Sequence, residues 1–211
     1  MPASIKARPA PRQPTPKFVE VNAAHTSKAF QKYVGQALEV LRKNKTPIGQ
    51  ATYRYICSGK VKLDEMSDLT RADYIRSTKN LANWGAKVSP DEFADLHDPT
   101  SHASKVVTAN LRGYMWDERI YLAEGMTPKQ LASTLVHEVN HVINKSEEHY
   151  RGDTQALLQE FRADYAERLF AGEKMTPAKG RALKLRIGRE YGFDKARLEQ
   201  IPDVPPGKFI P

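Results

Sequence analysis

Cysteine is almost absent from this chain of 211 residues: Cys57 stands alone. A single thiol excludes an internal disulfide and any cysteine-based zinc site, and it is compatible with a reducing compartment. Within TYRYIC it reads as a small buried residue. Long apolar runs are missing as well. Nothing approaches the 18 or so residues that cross a bilayer, and the N-terminus lacks the apolar segment of a secretory signal. The expectation is a protein with no membrane span, acting in the cytoplasm or exported without that signal into a host cell. Acidic residues are missing from the first 17 positions, which hold five prolines. MPASIKARPAPRQPTPK cannot form a regular element and reads as a disordered leader: a flexible tail, a secretion segment or a transit peptide. The chain has no internal repeat.

What is present fits a soluble globular protein, with 40% hydrophobic and 27% charged residues. One domain over 18–211 is expected, and a monomer. The net charge of +8 is unevenly placed: +4 in 1–17, +5 in 174–211 and −1 between them. The basic excess therefore does not by itself indicate a nucleic-acid partner.

SKAFQKYVGQALEVLRK (27–43) sets Phe30, Tyr33, Val34, Ala37, Leu38 and Leu41 at helical spacing and stops at the breaker Thr46-Pro47. ATYRYICSGKVKL alternates and predicts a strand or hairpin turning at Ser58-Gly59. RADYIRSTKNLANWG predicts a helix ending at Gly85, and Ser89-Pro90 a new helix start. His97 and His102 fall in a polar loop and read as solvated. ERIYLAEG is a short strand closed by Gly125. A helix follows with Thr127 as cap, Pro128 at its first position and Leu131, Leu135, Val139 and Val142 along one stripe, ending near Asn144. Another runs from Asp153 to Gly172. TPAKGRALKLRIGREYG forms a third, whose basic residues lie on one solvated face. The expected fold class is α+β, mostly helical with a small sheet.

Within that helix stands His137-Glu138-Val139-Asn140-His141. Histidines four residues apart project from one face and can grip one ion, while Glu138 is turned about 100° away and can reach a water at the metal. Zinc acidifies such a water, the glutamate takes its proton, and a carbonyl is attacked. A catalytic zinc takes three protein ligands, so a third is required. Glu160 lies 19 residues on, across a turn and a return helix, and Asp164 follows at i+4, placed to accept the outer N–H of a ligating histidine. Glu147, six residues after His141, is the rival; that arrangement needs a glycine where Asn144 stands.

H-E-V-N-H at 137–141 with E-F-R-A-D at 160–164 resembles the HExxH plus ExxxD pattern of gluzincin metallopeptidases, and its short interval is similar to compact minigluzincins such as the ImmA/IrrE-type regulatory peptidases. The resemblance covers residues 118–172. It implies a zincin-like domain with the small sheet over the motif helix and zinc as cofactor, a zinc-dependent endopeptidase activity on a protein or peptide substrate, ligands His137, His141 and Glu160, general base Glu138, and Asp164 behind the ligands. It also implies an oxyanion-stabilising group, for which His149, Tyr150, Arg162 and Tyr191 are candidates. The strand Arg119 to Ala123 is expected to bind an extended substrate by adding its backbone to the sheet. The leader makes a secreted effector resembling type III secreted zinc proteases one expectation and an endogenous regulatory peptidase another. The competing class is a non-catalytic, zinc-stabilised module binding protein or nucleic acid.

Overall fold

The computed structural model describes residues 27–66, 112–116, 119–144, 153–190 and 193–209. The leader, the predicted helices around residues 71–92, His97, His102, Glu147, His149, Tyr150 and Tyr191 lie outside them. The described elements are α1 (Lys28–Lys43), α2 (Pro47–Cys57), β1 (Lys62–Glu65), β2 (Gly113–Trp116), β3 (Arg119–Leu122), α3 (Pro128–Asn144), α4 (Asp153–Phe170), α5 (Pro177–Glu190) and the short α6 (Lys195–Glu199). The fold is α+β, mostly helical with one small three-stranded sheet. Among the described residues no helix is long and apolar enough to cross a membrane.

Helix α1 begins where the Ser27 hydroxyl accepts the Phe30 N–H, and it buries Phe30, Val34, Ala37 and Leu41, one face at i, i+4, i+7 and i+11. The next segment departs from the expected strand or hairpin. ATYRYIC belongs to α2, because Thr46-Pro47 is a start as well as a stop: the Thr46 hydroxyl accepts the Gly49 N–H and Pro47 occupies the first helical position. The burial of Ile48, Thr52 and Ile56 follows the helical period, not the alternation of a strand. Ser58-Gly59 is the end of that helix, with the Gly59 N–H bonded to the Ile56 carbonyl and Gly59 at φ +73°. Only the tail of the predicted hairpin is extended, as β1. Cys57 closes α2 half-buried, and burial raises its thiol pKa.

The strand order is β1-β3-β2. β1 runs parallel to β3, with Leu63 opposite Ile120, and β2 runs antiparallel to it, with Tyr114 opposite Tyr121. Arg119 clamps the parallel pair through a 2.8 Å ion pair to the buried Asp64 carboxylate. A single core joins α1, α2, the sheet and α3, with Leu63, Ile120, Leu122, Leu131, Leu135 and Val139 at its centre. A second cluster lies between α4, α5 and the segment after it, around Leu157, Phe161, Leu183, Ile187 and Ile201.

Helix α4 is shared by both clusters. Ala166 and Phe170 join the first, Phe161 and Tyr165 the second, and the remaining face carries Glu160 against α3. A helix with apolar neighbours on two sides has no single apolar stripe, and its third face is free to be polar.

Candidate metal centre

The start of α3 is fixed by local chemistry. The Thr127 hydroxyl accepts the Gln130 N–H at 3.3 Å while the Gln130 side-chain oxygen accepts the Thr127 N–H at 2.9 Å, a reciprocal cap. The loop before it is pinned to α1, because the Tyr33 hydroxyl donates to the Ala123 carbonyl and accepts the Met126 N–H at 3.0 Å. Leu131, Leu135, Val139 and Val142 are buried as expected, which fixes the rotation of the helix and hence the direction of its histidines.

His137 and His141 both turn toward α4, with their Nε2 atoms 3.1 Å apart. The Glu160 carboxylate faces both, one oxygen 3.5 Å from His137 Nε2 and the other 3.6 Å from His141 Nε2. One ligand atom from each of the three lies within 4.8 Å of the other two. Asp164 sits behind, with Oδ1 3.4 Å from His137 Nδ1. The structure therefore brings together the two histidines, Glu160 and Asp164, the group expected from spacing.

Glu138 is buried, and its side chain lies against β2. Gly113 lies against it: a β-carbon there would stand 2.7 Å from Glu138 Oε1 and 2.7 Å from Thr134 Cγ2. Only a residue without a side chain lets the strand approach so closely. Burial lifts the Glu138 carboxyl to about pKa 7; the His137 charge opposes this and the Glu160 and Glu167 charges add to it. Burial also works against a charged His137, but the Asp164 and Glu160 carboxylates outweigh it and hold that imidazole well above the usual histidine range. His141 is pulled down by burial, against the Glu160 charge.

Two expectations are corrected here. The strand from Arg119 is the central one, and β1 and β2 occupy both its edges, so it cannot take up a further strand. The strand lying on α3 at Glu138 is β2, which among the described residues pairs on one side only. Arg162, a candidate oxyanion group, is two residues from Glu160 and so on another side of α4. It is buried and donates to the Pro206 carbonyl, anchoring the C-terminal segment.

Four contributors escaped the sequence reading. Glu167 brings Oε1 to 3.7 Å from His137 Nδ1; its place at i+7 from Glu160 and i+3 from Asp164 was a usable signal. Gln159 of α4 favours the charged form of the His141 side chain, against the burial that lowers its pKa. Arg186 of α5 reaches Asp164 at 2.5 Å, and Gly113 abuts Glu138; neither carries a local signal.

Compared with known proteins, the chain matches no protein-family model, and no curated protein or solved structure matches it either.

Proposed function

We propose that the protein is a zinc-dependent endopeptidase of the gluzincin type. The observation that carries this reading is the convergence of His137 Nε2, His141 Nε2 and the Glu160 carboxylate. Two imidazoles and a carboxylate are the donor set that zinc takes where a fourth position stays open for chemistry, and a carboxylate on the outer nitrogen of a ligating histidine is its usual companion. When bound there, zinc would polarise a substrate carbonyl and acidify a water.

The chain's own residues supply the rest. The Glu138 carboxylate accepts the proton from the attacking water and returns it to the leaving amine. Its buried setting keeps bulk water from competing for that proton. Asp164 faces Nδ1 and favours a proton there, so that when the imidazole gives up its other proton to a metal, Nε2, facing Glu160, would offer the lone pair. β2 offers backbone groups to an extended peptide beside Glu138, a mode that is indifferent to most side chains and suits a protein substrate.

Zinc content of the purified protein beside Glu160→Ala and Glu147→Ala tests the centre. One zinc per chain, lost sharply in Glu160→Ala alone, is the expected outcome; a metal-free wild type refutes it. Glu138→Gln separates enzyme from zinc-stabilised binding module: the enzyme reading requires zinc retained and proteolysis lost. A nucleic-acid partner is disfavoured by the internal commitment of two α5 cations, Lys184 to the Ile201 carbonyl and Asp203, and Arg186 to Asp164. Deleting residues 2–17 should abolish export and spare activity if the leader is a secretion segment.

A further inference from the structure

The basic residues of α5 do not all face solvent. Lys179, Arg181 and Arg189 are exposed, but Arg186 turns toward α4 and reaches Asp164 Oδ2 at 2.5 Å, with Glu190 of its own helix 3.8 Å from its other terminal nitrogen. The geometry points to Arg186 as a positioning residue for the candidate metal centre: its guanidinium fixes the carboxylate of Asp164 and, through it, the imidazole of His137. This inference rests on the zinc reading above and adds a third tier to it.

The argument runs through single atoms. Asp164 uses its two oxygens differently, Oδ2 for Arg186 on α5 and Oδ1 for His137 Nδ1 on α3. A carboxylate held by one oxygen can still rotate about its last side-chain bond. Held from both sides it cannot, and its orientation is passed to the imidazole. A competitor makes the lock necessary, because Glu167 Oε1 lies 3.7 Å from the same Nδ1, and one N–H cannot serve two carboxylates equally. The carboxylate whose outer oxygen is anchored is the one that sets the ring. Arginine suits this task, since its planar, permanently charged fork is oriented where a lysine would be a mobile point charge.

The same atoms, His137 with Asp164 and Glu167, lie close enough to suggest a second cation site. Two facts argue against it. A neutral imidazole has one lone-pair nitrogen, and Nε2 is the one facing His141 and Glu160. The outer oxygen of Asp164 is already engaged by Arg186. Nδ1 is therefore a donor, and the cluster is the support of the centre.

The test uses the full chain as wild type, Arg186→Met, Arg186→Lys, Asp164→Ala and the Arg186→Met/Asp164→Ala double variant. Zinc affinity is read by competition with a chromogenic chelator. In the metal-free protein, solvent exchange of the His137 Nδ1–H is read by proton NMR, the resonance being assigned by its loss in His137→Gln. The side chain of Arg186 is 42% exposed, so its replacement leaves the helix packed, and circular dichroism verifies the fold. Arg186→Met should weaken zinc binding roughly tenfold, the lower end of what outer partners of ligands contribute, and speed Nδ1–H exchange. Arg186→Lys should fall between the two. In the Asp164→Ala background, Arg186→Met should change affinity by less than about twofold, because an effect transmitted through Asp164 disappears with it. Equal effects in both backgrounds overturn the proposal, as does an Arg186→Met protein with unchanged affinity and exchange, or a wild-type Nδ1–H that exchanges freely. If the wild type binds no zinc, the parent reading falls by itself, while exchange still decides whether Arg186 orders His137.

Discussion

Gly113→Ala is the smallest change that addresses how the sheet and the motif helix are joined. The added β-carbon would meet Glu138 Oε1 and Thr134 Cγ2 at 2.7 Å and Glu138 Cγ at 2.8 Å. Contacts below 3 Å oblige something to move. Both partners belong to the buried face of α3, which is packed on α1 and the sheet, so neither has open space to enter. Overfilling a packed interface costs about 1–3 kcal/mol. For a chain of this size that is a fall of roughly 2–12 °C in Tm, measurable by calorimetry. Two of the three close contacts belong to the Glu138 side chain beyond its β-carbon, so in a Glu138→Ala background the cost should drop by more than half, leaving the Thr134 contact. Catalysis should suffer more than stability, because the displaced group is the proposed base. A Gly113→Ala protein as stable as wild type, or one equally destabilised in both backgrounds, would refute the reasoning.

Further outcomes follow from other sites. Glu138 titrates near 7 in the folded chain against about 4.5 unfolded, so the native state holds its proton longer; this contribution is fully present below pH 4.5 and is lost as pH rises through 7. Glu138 should contribute a loss on the order of 3 kcal/mol across that window in the metal-free protein, and Glu138→Gln should remove that share of the slope in urea titrations, leaving the part due to the histidines. Thr127→Ala deletes the reciprocal cap of α3 and should cost about 1 kcal/mol by denaturant unfolding. Asn144→Ala takes the acceptor from the Lys208 N–H and leaves the Lys208 carbonyl with Asn140 as its side-chain donor. A loss of about 1–3 kcal/mol and faster amide exchange at residues 207–209 are expected; unchanged exchange there would contradict the anchoring role.

The parts legible in the sequence are those encoded within a turn or two of chain. Helices α1, α3, α4 and α5 announced themselves through caps, apolar period and terminal glycines, and Gly125 and Gly172 do adopt positive φ. α2 was misread because TYRYIC happens to alternate, and because Thr46-Pro47 ends one helix and starts the next. The sheet order was out of reach: the residues of β1 pair with residues 57 positions on, as in Lys62 with Arg119, and no local pattern reports which edge is used. The site shows the same division. His137, His141, Glu160 and Asp164 follow from two helical spacings, whereas Arg186 comes from 22 residues beyond Asp164 and Gly113 from the other side of the motif. Long-range partners of this kind are selected by packing geometry, which a periodicity does not carry.

The anchoring of α3 also sets an order of events during synthesis. Asn140, inside the motif, donates to the Lys208 carbonyl, 68 residues downstream, and Asn144 grips the same residue. At translation rates of about 5–20 residues per second, the motif helix leaves the ribosome roughly 3–14 seconds before the segment that satisfies its buried amides. Through that interval α3 has both histidines but lacks first Glu160 and then its clasp. The arrangement of His137, His141 and Glu160 seen in the folded chain thus depends on segments made after the motif helix.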